Sequence, residues 1–152
     1  MRIKPAPDRY VPFNDGEPGR PLARAPCHDA EAVQAALGVA CNFRIPVSVS
    51  SGRHDPYGRA KHDGCILLDM SLMSKVEYSP KLDTVTDEGG TKTGGLLAGL
   101  PDDVVTLTGT NAAIGVAGIT CGGGCGMLTA ISGLCAMCWS RRNLFSTMEV
   151  VS

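Results

Sequence analysis

Charge of one sign and aromatic side chains are what this chain has least of. Aromatics make up 5% of its 152 residues, and 14 basic against 15 acidic side chains leave a net charge of -1. So even a balance offers no general attraction to polyanions, and neither nucleic acid nor an anionic membrane surface is expected as a partner. From Val104 to Ser140 there is no Asp, Glu, Lys or Arg at all. A run of that length raises a membrane helix, but Thr106, Thr108, Thr110, Asn111, Thr120 and eight glycines within it make insertion weak, so no membrane span is expected. A secretion signal is also missing: Met1 to Gly19 is polar and proline-rich, without the basic, apolar and small-residue regions in succession. Seven cysteines, an odd number, then point to reduced thiols rather than a disulfide framework, and to the cytoplasm. Neither G-x-G-x-x-G nor G-x-x-x-x-G-K-[ST] occurs, which removes the dinucleotide-fold and P-loop readings.

What the chain does have is 19 glycines and 10 prolines, the composition of a loop-rich fold with close backbone approaches rather than of a helical bundle. Its length suits one domain able to carry a core. Residues 1–26, with six prolines among charges, read as an extended lead-in rather than a packed element. Asp29 can cap a helix from Ala30 to Phe43, in which Ala32, Val33, Ala36, Leu37, Ala40 and Cys41 recur at helical spacing. Pro46 prevents its continuation, and Val47 to Val49 reads as a strand. Gly64 to Met70 is an apolar run bounded by turn residues, the pattern of a strand buried on both faces and hence central. Helix, strand, loop and strand give an α/β unit on the N-terminal side. Val76–Tyr78 and Leu82–Thr86, flanking Ser79-Pro80, read as a short hairpin or two small strands, Thr93–Leu100 as a helix, Val104–Thr108 as a further β-branched strand, and Glu149-Val150-Val151 as the beginning of another.

The chemistry concentrates in two stretches. Ser50-Ser51-Gly52-Arg53-His54-Asp55 follows a strand, so its turn leaves backbone N–H groups available to an anion, with Arg53 as a fixed charge and His54 as a nucleophile or base. A solvated surface histidine after a turn is the alternative. Ile114 to Gly126 is so rich in glycine that backbone can close on a bulky or flat group and donate to it; tight packing of turns on one another is the competing reading. Cys121-x3-Cys125-x9-Cys135-x2-Cys138 allows a four-thiolate zinc site, though its first pair brackets three glycines in an apolar run. Cys135-Ala136-Met137-Cys138 by itself resembles a redox dithiol, without a helix-initiating context around it.

Taken together, the order and separation of these stretches resemble the FAD-binding domain of the vanillyl-alcohol oxidase and p-cresol methylhydroxylase (PCMH-type) superfamily, and within it the berberine-bridge-like FAD-linked oxidases. Asp29 to Leu37 looks like the opening helix, Ile45 to Asp55 like the strand and flavin-attachment loop, and Gly64 to Met73 like the next strand. Gly109 to Gly126 looks like the second flavin-contacting segment, and Asn143 to Val151 like the stretch after it. The resemblance implies an α+β fold, with a small α/β subdomain followed by part of a second α+β subdomain, and a partial flavin domain over residues 27–152. It implies FAD as cofactor, bonded covalently through the ring of His54, with Ser50, Ser51, Gly52, Arg53, His54, Asp55, Gly58, Asn111, Ile114, Gly115, Gly118, Gly122 and Val150 as cofactor contacts. Some members carry a second link from a cysteine where this chain has Asn111, so a single bond is expected.

The chain departs from the family pattern in three respects. Ser50, Ser51 and Arg53 stand where arginine and glycine are usual. Cys135 to Arg142 looks like an insertion, and the family's substrate domain lies outside these residues. The expectation is therefore FAD binding by a fragment or reduced homologue of an oxidoreductase that takes hydride from an organic substrate and is reoxidised by O₂, with a completing segment or partner chain. The alternatives are a cofactor-free interaction module with the inherited fold and, behind it, a zinc protein with four cysteine ligands.

Overall fold

The computed structural model describes residues 4–5, 19–141 and 146–149, with side chains over residues 19–138. It divides into two units, Met1–Met73 and Ser74–Ser152.

The first unit is a four-stranded sheet in the order β1-β2-β4-β3, with β1 at Lys4–Pro5, β2 at Ala23–Pro26, β3 at Val47–Ser50 and β4 at Ile66–Asp69. β1 runs antiparallel to β2, whereas β2 and β3 both run parallel to β4. All four residues of β4 are buried, as its uninterrupted apolar run predicts for a strand with a neighbour on each side. Helix α1 (Ala30–Phe43) connects β2 to β3. Its start is set by Asp29, whose carboxylate accepts from the Ala32 N–H at 2.7 Å. Arg44 ends it in the left-handed region at φ 51°.

Two sequence expectations need correcting here. The buried face of α1 is Ala32, Val33, Ala36 and Ala40, while Leu37 is 44% exposed and Cys41 is exposed. With small residues along that face the helix lies close to the sheet and packs with Ala25, Cys27, Ile66, Leu68 and Met73. The end of the proline-rich stretch is also not a bare lead-in. Ala23–Pro26 is a strand in the middle of the sheet, and Ala25 has no exposed surface. Proline is tolerated at Pro26 because the donor to β4 at this end of the strand is the next residue, Cys27, whose N–H reaches the Asp69 carbonyl.

The second unit holds an antiparallel sheet in the order β5-β6-β8-β7, with β5 at Val76–Ser79, β6 at Thr84–Asp87, β7 at Trp139–Arg141 and β8 at Ser146–Glu149. The expected hairpin is present, turning through Leu82 and Asp83, the latter at φ 51°. Helices α2 (Thr93–Ala98), α3 (Val116–Cys121) and α4 (Thr129–Ser132) follow, then a 3₁₀ turn at Cys135–Cys138. Val85, Leu96 and Val116 form the buried cluster, flanked by Val76 and Leu100.

Val104–Thr108 forms no strand, contrary to its β-branched composition. Thr106 and Leu107 are buried, but the backbone of Thr108 faces the glycine segment: a Cβ on Gly126 would lie 1.8 Å from the Thr108 carbonyl oxygen. Context outweighs the β preference here. Glu149 ends β8, and Val150 lies outside the described residues. Among the described residues no helix is long and apolar enough to cross a membrane.

Candidate functional site

Parallel strands deliver their carboxyl ends to one edge of a sheet, and that is where the histidine loop emerges. Pro26, Asp69 and Ser50 are in register across β2, β4 and β3. The edge is closed by backbone bonds from Cys27 N–H to the Asp69 carbonyl (2.9 Å) and from Met70 N–H to the Ser50 carbonyl (2.8 Å). Ser51, Gly52, Arg53, His54 and Asp55 follow, each half-buried.

Asp69 organises this edge. It is 1% exposed, and its carboxylate accepts from the Arg24 guanidinium, from the Arg53 guanidinium at 3.2 Å and from the Ser71 N–H at 3.0 Å. A buried carboxylate needs such partners. Arg53 reaches it from a left-handed backbone, φ 62°, where a non-glycine side chain is strained. Sequence reading misses both Asp69 and Arg24. The available signal is a carboxylate closing an otherwise apolar buried strand, since a charge there demands a counter-ion.

The distal half of the loop is a self-contained turn. Asp55 accepts from the Arg59 N–H, from the Arg59 guanidinium at 2.9 Å and from the Tyr57 N–H at 3.4 Å. The Arg59 hydrogen bond holds the Asp55 carboxyl below its ordinary range. Gly58 sits at φ 64°, donates its N–H to the Asp55 carbonyl and accepts from the Lys61 N–H. Asp55 is thus spent on shaping the turn, and Arg59 lies 5.1 Å from the Tyr57 ring centroid.

The other predicted contacts belong to the second unit. Asn111 opens a turn, its side-chain oxygen accepting from Ala113 N–H at 2.9 Å and its carbonyl from Ile114 N–H at 3.1 Å. Thr91–Gly94 and Ala112–Val116 then zip together through backbone bonds: Thr93 to Ile114, Gly94 to Ala112 and Val116 to Thr91, each 2.9 Å. This brings Ile114 and the buried Gly115 to the start of α3, Gly118 to its exposed side and Gly122 to its end. Val150, the remaining predicted contact, lies outside the described residues.

Each unit, taken by itself, buries polar side-chain atoms that have no partner among the described residues. Ser51 Oγ and Arg24 Nε in the first unit, and the hydroxyls of Thr91, Thr93, Thr106 and Thr120 in the second, are buried without a hydrogen-bond partner among the described residues. Each orphan costs free energy unless a ligand or water satisfies it. Gly118 is exposed, with nothing within 4 Å of where a Cβ would stand. No group of three or more His, Cys, Asp or Glu side chains that could hold a metal ion occurs among the described residues.

Known proteins share this fold. (R)-6-hydroxynicotine oxidase of Paenarthrobacter nicotinovorans is 33% identical over 116 residues, covering 76% of this chain and 25% of that protein. The crystal structure of 6-hydroxy-D-nicotine oxidase from Arthrobacter nicotinovorans superposes with a TM-score of 0.81 at 29% identity, over 85% of this chain and 29% of that one. The BBE-like 1 protein of Physcomitrella patens has the same fold, with a TM-score of 0.84 at 19% identity over 93% of this chain and 39% of that one. The chain spans about a quarter of the length of the curated relatives it matches. Residues 21–143 match the family model of the FAD binding domain, and with that α+β, PCMH-type fold the chain belongs to this family of FAD-binding domains.

Proposed function

We propose that this chain is the FAD-carrying part of an FAD-linked oxidoreductase, tethering the cofactor through His54. The observation that supports it best is the placement of His54: one residue beyond the Arg53–Asp69 ion pair, on a loop leaving the carboxyl edge of three parallel strands. When bound, FAD supplies an acceptor for hydride from an organic substrate and passes the electrons to O₂. In this reading an imidazole nitrogen of His54 holds the 8α-methyl carbon of the flavin. The loop of residues 50–55 takes the pyrophosphate, and residues 114–118 approach the rest of the cofactor. Asn111, which has no nucleophilic sulfur, leaves one bond.

A further segment or partner chain supplies the substrate side and the base, since the relatives are about four times longer. An odd number of cysteines, seven, supports a reducing, cytoplasmic compartment. Acid precipitation of the purified protein tests the reading: a yellow pellet is expected. Colour in the supernatant alone removes the covalent bond and keeps the binding. No colour in either fraction removes cofactor occupancy and favours a cofactor-free module with the inherited fold.

A further inference from the structure

The thiols at the end of the glycine segment are not among the cofactor contacts proposed above, yet the fold groups them. Cys135–Cys138 is a 3₁₀ turn, closed by the Met137 N–H on the Leu134 carbonyl at 2.9 Å. In a 3₁₀ helix residues three apart eclipse one another, about 6 Å along the axis at roughly 2 Å per residue. That separation falls within the roughly 4.4–6.8 Å Cα range that a disulfide spans. The turn is anchored to the glycine loop. Cys135 N–H donates to the Gly124 carbonyl at 2.9 Å and Ala136 N–H to the Gly123 carbonyl at 3.0 Å. Cys135 Sγ lies where a Gly124 side chain would stand, 2.8 Å from its Cβ position, and Gly123 and Gly124 both have positive φ.

The two thiols differ in access: Cys135 is 1% exposed, whereas Cys138 is partly exposed. Burial pushes the Cys135 thiol up, and the neighbouring Cys138 and Cys125 push it in the same direction. Access therefore makes Cys138 the thiol that a small oxidant reaches first and Cys135 the one that follows.

We propose that Cys135 and Cys138 form a peroxide-sensitive dithiol that closes to an intra-turn disulfide, a modification site independent of the flavin reading. The Cys138 thiolate attacks hydrogen peroxide, breaking its O–O bond and giving a sulfenic acid and water. The Cys135 sulfur then displaces the sulfenic oxygen as a second water. Two thiols are oxidised, one peroxide is reduced, and the net products are one S–S bond and two waters. Closure fixes the turn whose amides hold Gly123 and Gly124.

The purified full chain, treated with stoichiometric hydrogen peroxide, is expected to lose two of its seven titratable thiols and two hydrogens in intact mass. Sequential labelling with iodoacetamide, reductant and N-ethylmaleimide is expected to place maleimide on Cys135 and Cys138 alone. Cys135→Ser is expected to leave a dimedone-reactive sulfenic acid at Cys138, and Cys138→Ser to abolish both the disulfide and the dimedone adduct. Maleimide on Cys121 and Cys125, a disulfide-linked dimer, or added oxygen without loss of hydrogen in the wild-type chain would overturn the proposal. Those readouts come from the unmutated protein, so a variant that fails to fold does not shield it.

Discussion

Arg53 and Asp69 meet at 3.2 Å, one from a strained left-handed loop and the other from the end of a fully buried strand. The pair ties the residue before His54 to the sheet, with Arg24 on the same carboxylate oxygen. Left-handed backbone at a non-glycine residue costs about 1 kcal/mol or more, and the ion pair with a buried carboxylate offsets it.

Removing Asp69 strands two guanidinium groups that are themselves only about one-third exposed. Asp69→Ala is expected to lower unfolding stability by about 3 kcal/mol, read from urea denaturation. Arg53→Gly loses one ion pair but relieves the left-handed residue, so its change is expected to stay within about 1 kcal/mol. A larger loss for Arg53→Gly than for Asp69→Ala would contradict the assignment of Asp69 as the hub.

Two glycines that look alike in sequence are expected to respond oppositely to alanine. Gly38 is exposed inside α1, with nothing within 4 Å of its Cβ position, so Gly38→Ala is expected to stabilise by up to about 1 kcal/mol. At Gly126 the new methyl falls 1.8 Å from a carbonyl oxygen, which only a backbone shift relieves, and Gly126→Ala is expected to destabilise by about 3 kcal/mol. Paired thermal melts decide it; equal shifts would remove the close approach of Thr108 and Gly126.

The Asp55 turn sets a pH dependence. Its carboxyl is held low by the Arg59 hydrogen bond, so its contribution is present above the ordinary Asp range and is lost as pH falls through the depressed folded value. The Arg59 amide resonance is expected to follow that acid transition, and in Asp55→Asn the transition is expected to be absent. An Arg59 amide that titrates unchanged in Asp55→Asn would place the source elsewhere.

Local rules make much of this fold legible. Asp29, the alternation of α1 and Pro46 mark a helix whose ends need no tertiary information, and the apolar run at Ile66–Leu68 needs only the rule that both faces are buried. The failures share a cause. Leu37 and Cys41 read as inward-facing because apolar character alone does not say which of two adjacent stripes meets a closely packed sheet. Val104–Thr108 reads as a strand because a neighbour that replaces a ladder, here Gly126, is distant in sequence. The same distance hides the site's charge hub: Arg24, Arg53 and Asp69 are brought together by strand order, which no spacing in the chain encodes. The loop that carries His54 is legible as a loop because strand and small-residue turn are contiguous.

The central claim is that His54 carries the flavin, and the chain offers a direct measurement, because Arg53 and Arg59 bracket the short tryptic peptide His54–Arg59. Peptide mass mapping of the purified, denatured protein is expected to find the flavin mass on that peptide, with fragment ions placing it on the histidine ring, and to find it gone in His54→Ala. Flavin recovered only as free FAD alongside an unmodified His54–Arg59 peptide, or attached to a cysteine instead, would contradict the account.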